Sequence, residues 1–227
     1  MAIPLLPFPS LPAKNGYQYI ARWADSSDIP CLTALHFAAF GSEVDQFIPN
    51  NTDGQAWMSE AFRVCFEEFG QHCLTLVITA KRLGGGSEIE TDGDIVAYAR
   101  YIIPTRAVWD NMYSYPKAIG EMDQSKIDNF LGGLEKQHAE IMGWGEGERE
   151  TKHLWFENLA THPDHRRLGI GRALVQYVCA IADDMGLEVY LDASDFGMGL
   201  YEKFGFKTVE GDGNRAVSAP MVRKPKY

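Results

Sequence analysis

The 227-residue sequence has no apolar run near the roughly 20 residues that a membrane-spanning helix needs, so no membrane span is expected. Positive charge is scarce. With 21 Lys and Arg against 31 Asp and Glu, the formal net charge is −10, which argues against broad attraction to nucleic acid or anionic membrane, both of them negative. An anionic ligand must therefore meet a local basic cluster. Cysteine is sparse too: Cys31, Cys65, Cys73 and Cys179 form no C-x-x-C pair, so neither a zinc knuckle nor a disulfide framework is indicated, and reduced, structural thiols are expected. The opening MAIPLLPFPSLP has four prolines, no basic start and no small-residue cleavage site, so residues 1–16 read as an extended arm rather than a secretory leader. These absences together point to a reducing, cytoplasmic setting. The phosphate loop GxxxxGK[ST] is missing, as are a nucleophile-elbow serine or cysteine and any internal repeat.

What is present is an ordinary globular composition, 45% hydrophobic, at a length that favours one elaborated domain, placed at 17–227. Tyr17 to Trp23 reads as a strand. Ser26, Ser27, Asp28 and Pro30 start a helix over Ile29 to Phe40, and a second helix runs from about Gly54 to Phe69. CLTLVITA from Cys73 and IVAYARYII from Ile95 are strand-like, joined by a hairpin loop containing Gly84 to Gly86. From Pro104 to Thr151 the pattern loosens into an insertion with Trp109, Tyr113, Tyr115 and Trp144 and one helix near Ser125 to Met142. These aromatic residues either line an acceptor pocket or anchor the insertion on the core. The remainder alternates sharply: strand Leu154 to Thr161, helix Gly169 to Met185, strand Leu187 to Asp192, short helix near Gly199 to Phe204, and a last strand near Ala219 to Arg223. Asp183 and Asp184 read as a solvated helix end.

The richest segment is LATHPDHRRLGIGRALVQYVCAIADDMG, where a strand enters a basic, glycine-containing turn and continues into an amphipathic helix. Gly169 and Gly171 leave backbone N–H groups open, the helix start adds unpaired donors and the positive end of its dipole, and Arg166, Arg167 and Arg172 add charge, a combination suited to a diphosphate. A dinucleotide fingerprint fails at its third glycine, which is Leu174, although Asp192 stands about where a ribose partner would. His162 and His165 lack further ligands at suitable spacing, so no metal is expected.

Arg166-x-x-Gly169-x-Gly171 resembles the pyrophosphate turn of the GNAT acetyltransferases, and GLYEKFGFK from Gly199 to Lys207 resembles the short helix and strand that follow it in that family. With Phe206 to Val209 and the PMVRK ending, the resemblance covers most of the chain outside 104–151. It implies an α/β (α+β) fold: a mixed, mostly antiparallel sheet of about seven strands, helices on both faces, splayed between the fourth and fifth strands. It also implies acetyl-CoA as cosubstrate, its pantetheine arm pairing with backbone along Glu157 to Thr161 through Leu159, Ala160 and Thr161, and its pyrophosphate held by Arg166, Arg167, Leu168, Gly169, Ile170, Gly171 and Arg172. Tyr201 matches the family tyrosine beside the thioester sulfur, the general acid for the thiolate, and Ser194 stands where the family often has an asparagine that bonds pantetheine.

Transfer is then direct, from acetyl-CoA to a primary amine, and a base must take the ammonium proton. If β alternation holds, His153, Trp155, Glu157 and Leu159 share one face, making Glu157 the first candidate base and His153 the second. A small-molecule amine is the expected acceptor, because an insertion before the fourth strand closes the space that a peptide groove needs. A protein or peptide acceptor and a non-catalytic acyl-CoA sensing module are the alternatives. Homodimers are common in such folds.

Overall fold

A computed structural model describes residues 6–83, 93–103, 108, 115–143, 152–209 and 218–226. Trp109, Tyr113, Trp144 and the Gly84 to Gly86 loop lie outside the described residues. The chain runs β1 (Tyr17–Trp23), α1 (Ile29–Phe40), α2 (Thr52–Glu67), β2 (Cys73–Arg82), β3 (Asp94–Ile102), α3 (Gln124–Met142), β4 (His153–Thr161), α4 (Ile170–Met185), β5 (Glu188–Ala193), α5 (Asp195–Glu202), β6 (Lys207–Thr208) and β7 (Ala219–Arg223), with a single helical turn at Ser42–Asp45. The strands form a seven-stranded sheet in the order β1-β2-β3-β4-β5-β7-β6. Every neighbouring pair is antiparallel except β4 with β5.

Local chemistry explains the element starts. Asp25 and Asp28 form a reciprocal capping box ahead of α1, the Asn51 side chain accepts from Gly54 N at 2.9 Å to open α2, and the Asp123 carboxylate accepts from Ser125 N at 3.0 Å to open α3. Helices cover both faces of the sheet. On one face α4 buries Leu174, Val178 and Ile181 completely against β3, β4 and β5, each burial contributing about 1.5–3 kcal/mol. The N-terminal arm lies on this face as well: Phe8 packs edge-on against Trp23, and Tyr177 donates to the Leu6 carbonyl at 3.3 Å. On the opposite face α1, α2 and α3 bury Leu32, Trp57, Phe62 and Ile127 against Val77, Tyr98 and Ala160. Among the described residues no helix is long and apolar enough to cross a membrane.

Four expectations need correction. Alternation along β4 does not hold throughout: Arg100 opposes Asn158 while Tyr101 opposes Phe156, so a bulge absorbs Glu157. Before it, odd-numbered Trp155 faces α3 and even-numbered Phe156 faces α4; after it, even-numbered Ala160 packs beneath α1 and α2, and Leu159 turns toward the α4 side. Leu159 therefore does not share a face with His153, Trp155 and Glu157. The helix expected near Gly199 begins four residues earlier, at Asp195, because extended Ser194 ends β5 and an acidic first-turn residue suits the helix dipole; Met198, Leu200 and Tyr201 then hold the glycine-containing helix by packing. Asp183 is no free solvated carboxylate, since it takes Arg223 at 2.7 Å and the Lys226 amide at 2.7 Å, tying the end of α4 to β7. Of the four cysteines three are buried, whereas Cys31 is exposed on α1.

Candidate active site

The parallel ladder between β4 and β5 lasts only three rungs, His153–Glu188, Leu154–Val189 and Trp155–Tyr190. Beyond it the strands part, and a cavity of about 880 Å³ opens in the gap. One end of this cavity is the basic turn. His162 N donates to Val96 O at 2.8 Å, so alternation directs the Thr161 and Leu159 N–H groups away from β3 and into the splay, as donors for an incoming extended chain. Gly169 caps α4 at φ +90°, a conformation that L side chains avoid, and has no side-chain cap, so the first-turn amides of Ile170, Gly171 and Arg172 remain without intrahelical partners. A Cβ on Gly171 would meet only Leu200 at 3.7 Å and Thr161 at 3.8 Å, ordinary contacts. The protein's own packing does not require glycine there, and the bare backbone leaves room for a ligand to approach.

The arginines divide their work. Arg166 is a latch: its guanidinium donates to Thr161 O at 3.2 Å and to Ala39 O at 2.7 Å, joining the end of β4 to the C-terminal turn of α1, and it lies 5.4 Å from the Phe196 ring centroid. Arg167, exposed and at φ +62°, and Arg172, exposed in the first turn of α4, are the freer cations. Leu159, Thr161, Arg166, Arg167, Gly169, Ile170, Gly171, Arg172, Ser194 and Tyr201 all line the cavity. Ala160 and Leu168 do not: the first is buried beneath α1 and α2, the second packs on the opposite core.

Tyr201 also lines the cavity. Its ring packs edge-on between Phe156 and Phe206 at 6.2 and 5.7 Å, and burial pushes the phenol up, so it carries its proton at neutral pH. Glu157 also reaches the cavity wall, but in a tight ion pair. Arg100 binds both carboxylate oxygens, through Nε and through Nη2 at 2.6 Å, while Tyr115 from the 104–151 stretch donates at 3.2 Å. The side chains of Arg100 and Glu157 are only 4% and 7% exposed. His153 is buried away from the cavity, its Nε2 2.7 Å from Nε2 of His138.

Three polar groups escaped the sequence reading as site residues. Arg100 interrupts the apolar strand IVAYARYII, and a charge in such a run signals a buried partner. His36 lines the cavity from α1 with Nδ1 3.0 Å from the Tyr98 hydroxyl, and burial lowers it to about 3, so the ring is neutral. Asp192, at the end of another apolar strand, had registered only as a ribose partner. It accepts from Gln137 at 2.7 Å and from Tyr190 at 3.0 Å, and burial pushes it up to about 6 against those two donors. The far end of the cavity is apolar: Phe40, Ile48, Trp57, Met58, Phe130 and Leu131 form the wall. Tyr115 stacks on Trp57 at 6.0 Å, and the Trp57 indole donates to Pro116 O at 2.7 Å, so Tyr115 and Pro116 cover this part of the wall.

Residues 54–206 match the family model described as the Acetyltransferase (GNAT) family. A curated relative, glucosamine 6-phosphate N-acetyltransferase of Trypanosoma brucei brucei, is 35% identical over 65 residues, 28% of this chain and 43% of that protein, so the chain spans less than half of that relative. Among solved structures, arylalkylamine N-acetyltransferase 2 of Aedes aegypti superposes with a TM-score of 0.58 at 14% identity, covering 92% of this chain and 99% of that one. The PaiA N-acetyltransferase of Thermoplasma acidophilum, in complex with coenzyme A, gives 0.52 at 13% identity over 91% and 99% of the two chains. These likenesses show the shared fold. The family match, over more than half of the sequence, shows that the chain belongs to the GNAT acetyltransferases, the acetyl-CoA-dependent N-acetyltransferases.

Proposed function

We propose that this enzyme acetylates the primary amine of a small molecule with an apolar body, by direct transfer from acetyl-CoA. The carrying observation is one cavity whose lining combines the basic, glycine-containing turn before α4, the apolar side chains of Phe40, Ile48, Trp57, Met58, Phe130 and Leu131, and Tyr201. Residues 17–227 act as one domain in this reading, and Tyr115 and Pro116 close the acceptor end against Trp57 where a peptide would need an open groove.

Pantetheine adds along β4 against the Leu159 and Thr161 amides, and the diphosphate sits on the first turn of α4 with Arg167 and Arg172. The acceptor's nitrogen enters from the apolar side and attacks the thioester carbonyl. Tyr201, protonated at neutral pH and without a protein hydrogen-bond partner among the described residues, protonates the departing sulfur. The Arg100–Glu157 pair holds the bulge of β4 in place.

Thiol release from acetyl-CoA tests this with arylalkylamines, alkylamines, polyamines, glucosamine 6-phosphate and peptides as acceptors. Turnover of apolar amines at the lowest KM is expected. Turnover confined to peptides, or to the aminosugar phosphate, overturns the assignment of the acceptor.

A further inference from the structure

Trp155 and Tyr190 form the last rung of the parallel ladder, and two residues beyond it on each strand stand Glu157 and Asp192, both lining the cavity. A pantetheine arm running back from the turn along β4 arrives at this level. The two carboxylates differ sharply in surroundings. Glu157 is committed on both oxygens to Arg100 and receives Tyr115 as well. Both of its oxygens are thus already taken up by donors from the protein. Among the described residues Asp192 is met only by neutral donors, Gln137 and Tyr190, and both converge on Oδ1. Its Oδ2 takes no protein donor among the described residues and is not one of the sealed, unpartnered atoms of the core.

We propose that Asp192 is the group that takes the proton from the acceptor's ammonium, with Gln137 and Tyr190 as positioning residues and Glu157 kept out of proton transfer by Arg100. The assignment rests on direct transfer to an amine and deepens it. From α3 the neighbours are Gln137 and His138, the latter stacked on Tyr190 at 4.0 Å and, by burial, held well below the usual histidine range, so it is neutral. From β4 they are His153, bonded to His138, and Glu157 with Arg100 of β3; β7 places Pro220 opposite Asp192. Tyr201, Glu202 and Lys203 line the cavity from α5 and its end. Burial raises the Asp192 carboxyl to about 6: ionised at pH 7, yet more basic than an ordinary aspartate.

The step balances. The ammonium gives one proton to Asp192, which passes it to solvent. The nitrogen lone pair forms the C–N bond as the C–S bond breaks. Tyr201 protonates the leaving sulfur and regains a proton from the nitrogen, leaving amide and free thiol.

The test is the pH profile of thiol release with the best amine acceptor, for wild type, Asp192→Asn, Glu157→Gln, Gln137→Met and Tyr190→Phe, alongside acetyl-CoA binding by calorimetry. Wild type should show a rising limb in kcat near pH 6. Asp192→Asn should lose this limb and about 100-fold or more in kcat, with acetyl-CoA affinity kept. In Gln137→Met and Tyr190→Phe the limb should move to higher pH, since each loses a donor that favours the carboxylate. The assignment is overturned if the limb survives in Asp192→Asn, or disappears in Glu157→Gln instead. Should Asp192→Asn not fold, an unmoved limb in both positioning variants overturns it equally. Acetylation of peptides alone would sink the small-molecule reading while the same comparison still decides Asp192; acetyl-CoA binding without turnover of any amine sinks both.

Discussion

The Cβ that Gly197 lacks would stand 2.9 Å from Cε2 of Tyr201. The ring cannot retreat easily, because Phe156 and Phe206 flank it. Gly197 thus sets where the phenol lies along the cavity. Gly197→Ala should displace the hydroxyl and lower kcat by about 10-fold or more, given the sensitivity of reacting geometry to small misplacements. Acetyl-CoA affinity, measured by calorimetry, should stay near wild type. A full-speed Gly197→Ala enzyme would contradict the placement of Tyr201.

Tyr201→Phe keeps the ring and its packing but removes the proton donor. A positioned general acid contributes about 10²–10⁴-fold, so kcat should fall by that order while thermal stability is preserved. An unchanged kcat would leave Tyr201 as a packing residue only.

Arg100 and Glu157 are nearly sealed from solvent and serve each other. Arg100→Met strands a buried carboxylate and should cost about 3–5 kcal/mol in urea denaturation. The double variant Arg100→Met/Glu157→Gln should recover much of that loss. If the single and double variants are equally unstable, the pair is not the stabilising unit described.

Asp192 makes a prediction for stability that is separate from rate. Its folded carboxyl is raised to about 6 from an ordinary 3.8, so the folded state binds more protons between those values. The group's contribution is fully present below the unfolded value and declines as pH rises through about 6. Asp192→Asn should therefore gain stability relative to wild type as pH goes from 4 to 7, the difference levelling off above that. The comparison must be between the two proteins, because His36, held neutral by burial with a value of about 3, shifts both stability curves in the opposite direction over the same range. A difference independent of pH would show that Asp192 is not perturbed.

Much of this molecule follows from short-range chemistry. The apolar periodicity of Ile29 to Phe40, the strand runs from Cys73 and Ile95, and the Gly169 turn before an amphipathic helix each specify local conformation through side-chain size, branching and backbone freedom, and the structure places α1 over Ile29–Phe40 as expected. The basic turn was legible because its ingredients are contiguous: arginines, a glycine, which the structure holds at positive φ, and a helix start. The central polar groups were not. Glu157 reads as an available base on an alternating strand, but a bulge, a property of two paired strands, reverses the alternation beyond it, and Arg100 from β3, 57 positions away in sequence, takes up the carboxylate. Asp192 and Gln137 meet across 55 positions. Sequence alone determined which segments become strands, helices and a basic, glycine-containing turn, because those depend on neighbours along the chain. Only the tertiary structure decided which carboxylate is neutralised by a cation and which is left with neutral donors, since that depends on long-range pairing and burial.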